Sequence, residues 1–348
     1  MTGTKIAFLY SEIAGYFMAC ADSLSEHAEV LVVRWPTNSE APFEFKNSEK
    51  LQIVTKTDYS NEELKNLLTE FNPDIVVCSG WMDKDYLRLV KGLGKDTKKV
   101  LSLDNHWTGS LKQRIAALVS PFYIKRYFTH AWVPGSKQEK FADKLGFGSK
   151  ILTGFYCANT NLFNEKFEKT FAEKKNHFPK RFLYVARYVE HKGIFEMWEA
   201  FCELQQENPN EWELWCLGTG DQWENRREHE KIKHFGFVQP HEMDEYISNT
   251  GVYILPSKFE PWGVSVQEFG IAGFPLLLSD AIGSTGQFLG PNGLLFKSGS
   301  VDEIKKAMKA IMDMDESDLV KKGLSSHEIG MSYTTEQWAK RILSLKDN

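Results

Sequence analysis

Cysteine is scarce in this sequence of 348 residues, and no two cysteines form a CxxC pair. Such a set predicts neither a disulfide framework nor a cysteine-ligated zinc site, and it is typical of a reducing compartment. Most of the cysteines lie in or beside apolar runs, so we expect them to serve as small core side chains. They are Cys20, Cys78, Cys157, Cys202 and Cys216.

Long hydrophobic runs are also missing. No apolar stretch reaches the roughly 18 residues that a membrane-spanning helix needs. Residues 4–10 enter a strand pattern directly, without the apolar segment and small-residue cleavage site of a signal peptide. We therefore expect a cytoplasmic protein, which could still be peripheral on the cytoplasmic face of the membrane.

A basic excess is absent as well, since the formal net charge is -5. This argues against a general nucleic-acid-binding protein, which normally carries clustered positive charge. The composition, with 42% apolar and 26% charged residues, is that of an ordinary soluble globular protein. The length is sufficient for two domains of moderate size.

The first half of the sequence alternates short β-branched runs with stretches of helical period, such as residues 61–71 and 138–145. This alternation predicts an α/β domain whose mostly parallel sheet is covered by helices on both faces. The predicted strands are residues 5–10, 30–35, 51–54, 74–78, 99–103 and 130–133.

A charged stretch with little β-propensity, residues 164–180, separates two such blocks. We interpret it as a linker between an N-terminal Rossmann-like domain (1–163) and a C-terminal one (181–328). Residues 329–348 contain an amphipathic helix that begins after a threonine-rich cap. The strands predicted in the second block are residues 181–186, 213–217, 233–238, 252–255 and 275–278.

The most informative stretch, residues 254–268, has a strand, a loop and a helix start in succession. The loop contains Glu260, and the first helical turn contains Gly263, Val264 and Ser265. Backbone N–H groups in such a turn, together with the helix dipole, bind phosphate. The sequence therefore predicts a phosphate site at the carboxyl end of this strand, where ligands of parallel α/β sheets bind.

Glu268 lies one helical turn after Val264 and on the same face of the helix. A carboxylate at that place can accept two hydrogen bonds from a ribose diol. For either glutamate alone, a solvated surface charge is the alternative interpretation. The loop, the glycine and the helix start favour the functional one.

A second strand–loop–helix stretch, residues 185–193, carries two cations, Arg187 and Lys192. Cations near a helix start offset the charge of a diphosphate and of a departing phosphate group. Two exposed basic residues at a sheet edge are the alternative interpretation.

These motifs resemble those of the family 4 retaining glycosyltransferases, which have the GT-B fold of two facing Rossmann-like domains. The two glutamates have that family's E-x7-E spacing, and residues 256–263 (PSKFEPWG) resemble its P-S-x-x-E-x-F-G. Residues 186–193 resemble its G-R-x-x-x-x-K-G, with Ala186 in place of the first glycine. Phe269 stands where the family usually has alanine, which changes the packing behind Glu268.

The resemblance implies roles for particular residues. Glu260, Arg187, Lys192 and His106 would be catalytic, with the two cations on the diphosphate and His106 near the transferred sugar. Nucleotide-sugar binding would involve Glu268, Gly263, Val264, Ser265, Gly218, Gly220, Phe237, Val238 and Gly15. A structural histidine is the alternative for His106, and an ordinary strand–helix turn is the alternative for Gly15. No DxD-like metal motif accompanies the two glutamates, so we expect no obligatory metal ion.

Residues 111–128 interleave basic and bulky apolar side chains, and no acidic residue occurs between Asp104 and Glu139. This pattern is typical of a segment that lies on anionic lipid. A core helix with a solvated basic face is the alternative, and we favour it slightly because the inner strands need helices to cover them.

As a whole, the resemblance implies a retaining transfer of a hexose-type sugar from a UDP or GDP donor to a glycan or lipid-linked acceptor. The donor would bind the C-terminal domain and the acceptor the N-terminal one, and the C-terminal helix within residues 329–348 would pack back on the N-terminal domain. Bacterial surface polysaccharide or capsule synthesis is the expected pathway. The alternatives are a nucleotide-sugar epimerase of the same fold and a non-catalytic two-domain ligand-binding protein.

Overall fold

The computed structural model describes residues 3–36 and 47–346. These residues form two compact units, each built on a parallel sheet. Unit 1 comprises Met1–Asn159 and Tyr333–Asn348, and unit 2 comprises Thr160–Ser332. The predicted fold class, two Rossmann-like α/β domains, is confirmed.

The described residues of unit 1 form a seven-stranded sheet in the order β3-β2-β1-β4-β5-β6-β7. From β1 the chain adds β2 and β3 on one side of the sheet, and it then continues on the other side of β1 with β4. Ligands of such sheets bind at the carboxyl ends of the two strands where the direction reverses, here β1 and β4. The strands are β1 Thr4–Tyr10, β2 Ala28–Arg34, β3 Leu51–Thr55, β4 Ile75–Ser79, β5 Lys98–Ser102, β6 His130–Trp132 and β7 Ile151–Leu152. The helices are α1 Gly15–Ser25, α2 Asn61–Phe71, α3 Lys84–Gly92, α4 Leu111–Val119, α5 Ser136–Lys144 and, from the C-terminus, α13 Thr335–Leu343.

Unit 2 contains a six-stranded sheet in the order β10-β9-β8-β11-β12-β13, with the same reversal of direction between β8 and β11. Its strands are β8 Arg181–Val185, β9 Glu213–Leu217, β10 Ile232–Gly236, β11 Val252–Leu255, β12 Leu276–Ser279 and β13 Gly293–Phe296. Its helices are α6 Thr160–Asn176, α7 Ile194–Glu207, α8 Asp244–Asn249, α9 Val264–Ile271, α10 Thr285–Phe288, α11 Val301–Met312 and α12 Glu316–Gly330.

The inner strands are almost continuously apolar because helices cover both faces of each sheet. In β1, Ile6 and Phe8 belong to one hydrophobic cluster, whereas Ala7 and Leu9 belong to the cluster on the opposite face. This alternation follows from the two-residue period of a strand. All five cysteines are free and buried, which confirms their expected role as core side chains.

The segment predicted as a linker, residues 164–180, is largely helical instead. Residues 164–176 belong to α6, which is part of unit 2. Its Phe163, Phe167 and Phe171 recur every four residues and so share one face. An added Cβ at Gly273 would lie 2.7 Å from the rings of Phe167 and Phe171, which shows how closely this face is packed. The many charged residues between the phenylalanines hid the amphipathic pattern.

The C-terminal helix packs within unit 1. α13 contacts α1, and the indole N–H of Trp338 donates a hydrogen bond of 2.7 Å to the backbone oxygen of Phe155. The Trp338 ring lies 4.9 Å from that of Trp132 between centroids. Residues 347–348 of the predicted C-terminal segment lie outside the described residues.

The preference for a core helix at residues 111–128 is wrong for α4. None of its residues, all of which the structure describes, is buried. Leu111 is 73% exposed, Leu118 77% and Phe122 82%, so large apolar side chains face solvent. Ile124 and Phe128 are buried and attach the end of the segment to the core. No helix among residues 3–36 and 47–346 is long and apolar enough to cross a bilayer.

Candidate active site

The cation loop connects β8 to α7. A single 3-10 turn, Glu190–Lys192, precedes Gly193, whose φ of 70° is left-handed. An added Cβ at Gly193 would lie 2.1 Å from the backbone oxygen of Pro256, at the end of β11. Only glycine therefore allows the start of α7 to approach this strand so closely. The backbone N–H of Lys258 donates to the carbonyl of His191 at 2.8 Å and fixes the two loops together.

The carboxylate loop connects β11 to α9. Glu260 pairs with Ile282 in an isolated parallel bridge, and the N–H of Gly283 donates to the Glu260 carbonyl at 3.0 Å. Gly263 has a φ of 85° and is the N-cap of α9. Because glycine has no side chain to cap the helix, the N–H groups of Val264 and Ser265 lie in a first turn suited to an anion.

An ion pair joins the two loops. The ammonium of Lys192 contacts the carboxylate of Glu260, and their side chains are 15% and 13% exposed. A charge-assisted pair with so little solvent contact holds both side chains in place. The structure therefore brings two of the predicted catalytic residues together beside the starts of α7 and α9.

Arg187 lies at the carboxyl end of β8, and its side chain is exposed. Its backbone position is fixed by its neighbours: the Tyr184 hydroxyl donates to the Arg187 carbonyl at 3.0 Å. Tyr188 is buried, and its hydroxyl is 2.8 Å from Nδ1 of His234. A rigid backbone with an exposed guanidinium suits a residue that binds a ligand phosphate bidentately.

Gly218 and Gly220 pack against the cation loop. An added Cβ would lie 2.0 Å from the Ala186 carbonyl oxygen at Gly218, and 2.5 Å from the Tyr188 carbonyl oxygen at Gly220. The two glycines are thus required for the close approach of two backbones. Their predicted contact with the base or ribose stays a prediction, and the packing role is one that the sequence pattern did not indicate.

Phe237 and Val238 directly follow β10 at the carboxyl edge of the sheet. The Phe237 side chain is 40% exposed, so its ring is accessible to a planar base. His234, in the same strand, is fixed between the Tyr188 hydroxyl and the Arg227 carbonyl, which is 3.0 Å from its Nε2. Burial lowers the pKa of His234.

Glu268 lies on α9 one turn beyond Val264, as predicted, and its side chain is partly buried. Burial raises its pKa to about 7. Ser265 is engaged by the Tyr253 hydroxyl, which lies 2.8 Å from its Oγ. Phe269 stacks on Tyr253 with ring centroids 4.4 Å apart, so this departure from the family pattern affects packing behind Glu268.

Replacing Glu268 by glutamine should change how stability depends on pH. In the unfolded chain the Glu268 carboxyl loses its proton near its ordinary pKa of 4.5, whereas in the folded protein it retains the proton up to about pH 7. The native protein therefore loses stability as pH rises from about 4.5 towards 7. The free energy of unfolding of Glu268→Gln, minus that of the native protein, should increase by about 1–3 kcal/mol between about pH 5 and 8. Urea unfolding at several pH values measures this difference, in which the histidines cancel. A constant difference would contradict the assigned pKa.

Unit 1 has a cavity of about 500 Å³ at the carboxyl ends of β1, β4 and β5. Asp104 and Tyr16 line it, in agreement with the rule that ligands bind at this edge. Trp81 and Tyr156 also line it, and sequence reasoning missed both. Trp81 lies two residues after the end of β4, so the same rule applied to that strand finds it.

Gly15 and His106 lie near this edge with different surroundings. Gly15 is the first residue of α1, and nothing lies within 4 Å of an added Cβ there. His106 is not among the described residues that line the cavity. Its carbonyl accepts a hydrogen bond of 2.7 Å from the Gln113 amide. Burial, and then the nearby charge of Lys137, lower the pKa of its imidazole, so it is neutral at pH 7.

Comparison with known proteins gives a family match for part of the chain and a shared fold for all of it. Residues 165–322, most of unit 2, match the family described as glycosyl transferases group 1. No curated protein sequence matches the chain significantly.

Several solved structures resemble the whole chain. Sucrose-phosphate synthase from Thermosynechococcus elongatus is 17% identical with a TM-score of 0.71, over 98% of both chains. The Anabaena protein HepE, solved with UDP and glucose, is 13% identical with a TM-score of 0.70, over 99% of this chain and 100% of that one. A trehalose-6-phosphate protein from E. coli, bound with UDP-2-fluoro glucose, is 12% identical with a TM-score of 0.74, over 99% of both chains. Most of unit 2 therefore matches the group 1 glycosyltransferase family, and the whole chain has the GT-B fold of these solved structures.

Proposed function

We propose that this protein transfers a hexose-type sugar from a UDP- or GDP-sugar to a glycan or lipid-linked acceptor, with retention of the anomeric configuration. The observation that carries the proposal is the ion pair of Lys192 and Glu260, which joins the two motifs beside two helix starts. UDP is the first nucleotide to test, because HepE and the E. coli protein were solved with UDP or a UDP-sugar.

In the proposed reaction, departure of the nucleotide diphosphate is the difficult step. Arg187, Lys192 and the first turn of α9 stabilise the negative charge that develops on the leaving phosphate. Glu268 accepts hydrogen bonds from the ribose, and Phe237 and Val238 contact the base. An oxygen of the leaving phosphate takes the acceptor proton. The proposal includes no cofactor and no metal-dependent step.

A thermal-shift panel with UDP, GDP, ADP, dTDP and CMP tests the donor site. A nucleotide at about 100 times its dissociation constant stabilises the folded state by roughly 2.7 kcal/mol. One nucleotide that clearly raises the melting temperature names the donor base, and the matching nucleotide sugars can then be tested with acceptors. NMR of the product distinguishes retaining transfer from epimerisation of the donor. A flat panel with folded protein argues for a non-catalytic ligand-binding protein.

The acceptor belongs to bacterial surface polysaccharide synthesis in this proposal, as the resemblance implies. Two chemical kinds of acceptor are compatible with the proposed reaction. The first is a neutral glycan or lipid-linked glycan. The second is a sugar phosphate, since two of the similar proteins are named for sugar phosphates.

We further propose that residues 111–128 contact the cytoplasmic face of an anionic membrane. Leu118 and Phe122 are exposed, and the basic residues of the segment, Lys112, Arg114 and Arg126, are exposed too. Apolar side chains that insert among headgroups, beside cations that attract anionic lipid, are the features of an interfacial segment.

Charge substitution of the apolar face tests the membrane contact. Leu118→Glu/Phe122→Glu should reduce co-sedimentation with phosphatidylglycerol vesicles at least tenfold, because it places two carboxylates against an anionic surface. Leu295→Glu changes a 54% exposed leucine in unit 2 and serves as the matched control. Equal binding by the native and doubly substituted proteins, or equal binding to neutral phosphatidylcholine vesicles, would overturn the proposal.

A further inference from the structure

The cavity of unit 1 is lined by acidic and aromatic side chains. Glu12 and Asp104 are acidic, and none of the described residues that line the cavity is Lys, Arg or His. Tyr16, Trp81 and Tyr156 contribute aromatic rings. Proteins recognise phosphate groups with arginine or lysine side chains or with helix starts. Among the described lining residues, only Tyr16 belongs to a helix start, that of α1, and the acidic Glu12 precedes this start in the chain. A phosphomonoester placed among these carboxylates would meet like charge.

Asp104 is held in a defined position. The Tyr156 hydroxyl donates to its Oδ2 at 3.3 Å, and the Asn105 amide donates to its Oδ1 at 3.3 Å. Tyr16 packs edge-to-face on Tyr156, with ring centroids 5.8 Å apart. Burial, and then the neighbouring Tyr16, Tyr10 and Asp104, hold the pKa of Tyr156 well above its usual range, so its hydroxyl remains a donor.

We propose that this cavity binds the acceptor as an uncharged sugar and discriminates against phosphorylated sugars, an inference that rests on the proposed glycosyl transfer. Hydroxyl groups of a neutral sugar donate to the carboxylates of Glu12 and Asp104, which as ions only accept hydrogen bonds. Its apolar C–H face packs on aromatic rings such as Trp81. The volume of about 500 Å³ lies in the range of small-molecule sites.

A comparison of acceptors tests this inference with the full-length protein and the donor that the nucleotide panel selects. The neutral probes are the p-nitrophenyl glycosides of glucose, galactose, mannose and N-acetylglucosamine. The charged probes are glucose 6-phosphate and fructose 6-phosphate. We expect kcat/KM for at least one neutral probe to exceed that of both phosphates at least tenfold. The inference is overturned if a phosphate is used equally well, or if a protein that binds its nucleotide transfers to no neutral probe.

A charge-neutralised variant separates electrostatic discrimination from a structural role. In Glu12→Gln/Asp104→Asn, we expect the ratio of kcat/KM for glucose 6-phosphate to that for the best neutral probe to rise at least tenfold, with nucleotide affinity unchanged. Glu62→Gln removes an acid from α2 whose side chain is 75% exposed and should leave the ratio as it is. An unchanged ratio in the double variant would overturn the inference. Failure to bind any nucleotide would instead overturn the proposed function, and this inference with it.

Discussion

Lys192→Ala should lower kcat for sugar transfer by about 10²–10³-fold, the usual cost of removing one group that stabilises developing negative charge. The Lys192 ammonium lies beside the start of α7 and contacts Glu260, and in the proposed reaction it stabilises the leaving phosphate. Steady-state kinetics with the selected nucleotide sugar measures the loss. Nucleotide affinity, measured by thermal shift, should fall less than kcat because the charge on the phosphate grows as the bond breaks.

Two controls isolate the role of the Lys192 charge. Lys305→Ala removes another lysine of unit 2 that is paired with carboxylates, those of Glu203 and Glu207, and should leave kcat within about twofold. Lys192→Ala/Glu260→Ala leaves no unpaired carboxylate behind. If this double variant recovers native kcat, Lys192 acts only by neutralising Glu260, and its assignment to the leaving group is wrong.

Gly193→Ala should destabilise unit 2 by about 4 kcal/mol or more, and the protein should be poorly soluble or melt at a much lower temperature. The added methyl would lie 2.1 Å from the Pro256 carbonyl oxygen, a distance that no side-chain rearrangement relieves because the methyl is fixed to the backbone. The start of α7 and the end of β11 would have to separate. Thermal unfolding and nucleotide binding of the purified variant measure both consequences.

Gly299→Ala provides the matched control for backbone conformation. Gly299 has a φ of 71°, nearly that of Gly193, but the nearest atom to an added Cβ is Cδ of Lys258 at 3.8 Å. This substitution should cost only the roughly 1–2 kcal/mol of a left-handed alanine. Equal destabilisation by the two substitutions would show that the backbone conformation, and not the close approach of two loops, requires glycine at residue 193.

Local sequence patterns were sufficient to predict most of the helices and strands. The limits of α2, β9 and β11 agree with the predicted residues 61–71, 213–217 and 252–255, because propensity, capping and burial favour the same boundaries there. β13, Gly293–Phe296, was not predicted, because the short run GLLF has no alternation that distinguishes a strand from a helix. The helix α6 was missed because its charged residues dominate the composition while its phenylalanines carry the packing.

In the candidate site too, the sequence determined some features and the tertiary structure decided others. The spacing of Glu260 and Glu268 follows from one loop and one helical turn, so the sequence determined it. The contact of Lys192 with Glu260 joins residues far apart in the chain, and only the parallel order of β8 and β11 brings them together. The exposure of α4 was likewise decided by the tertiary structure. The same amphipathic pattern is compatible with a helix whose apolar face packs on the core and with one whose apolar face is exposed. Only packing against the rest of the chain distinguishes the two.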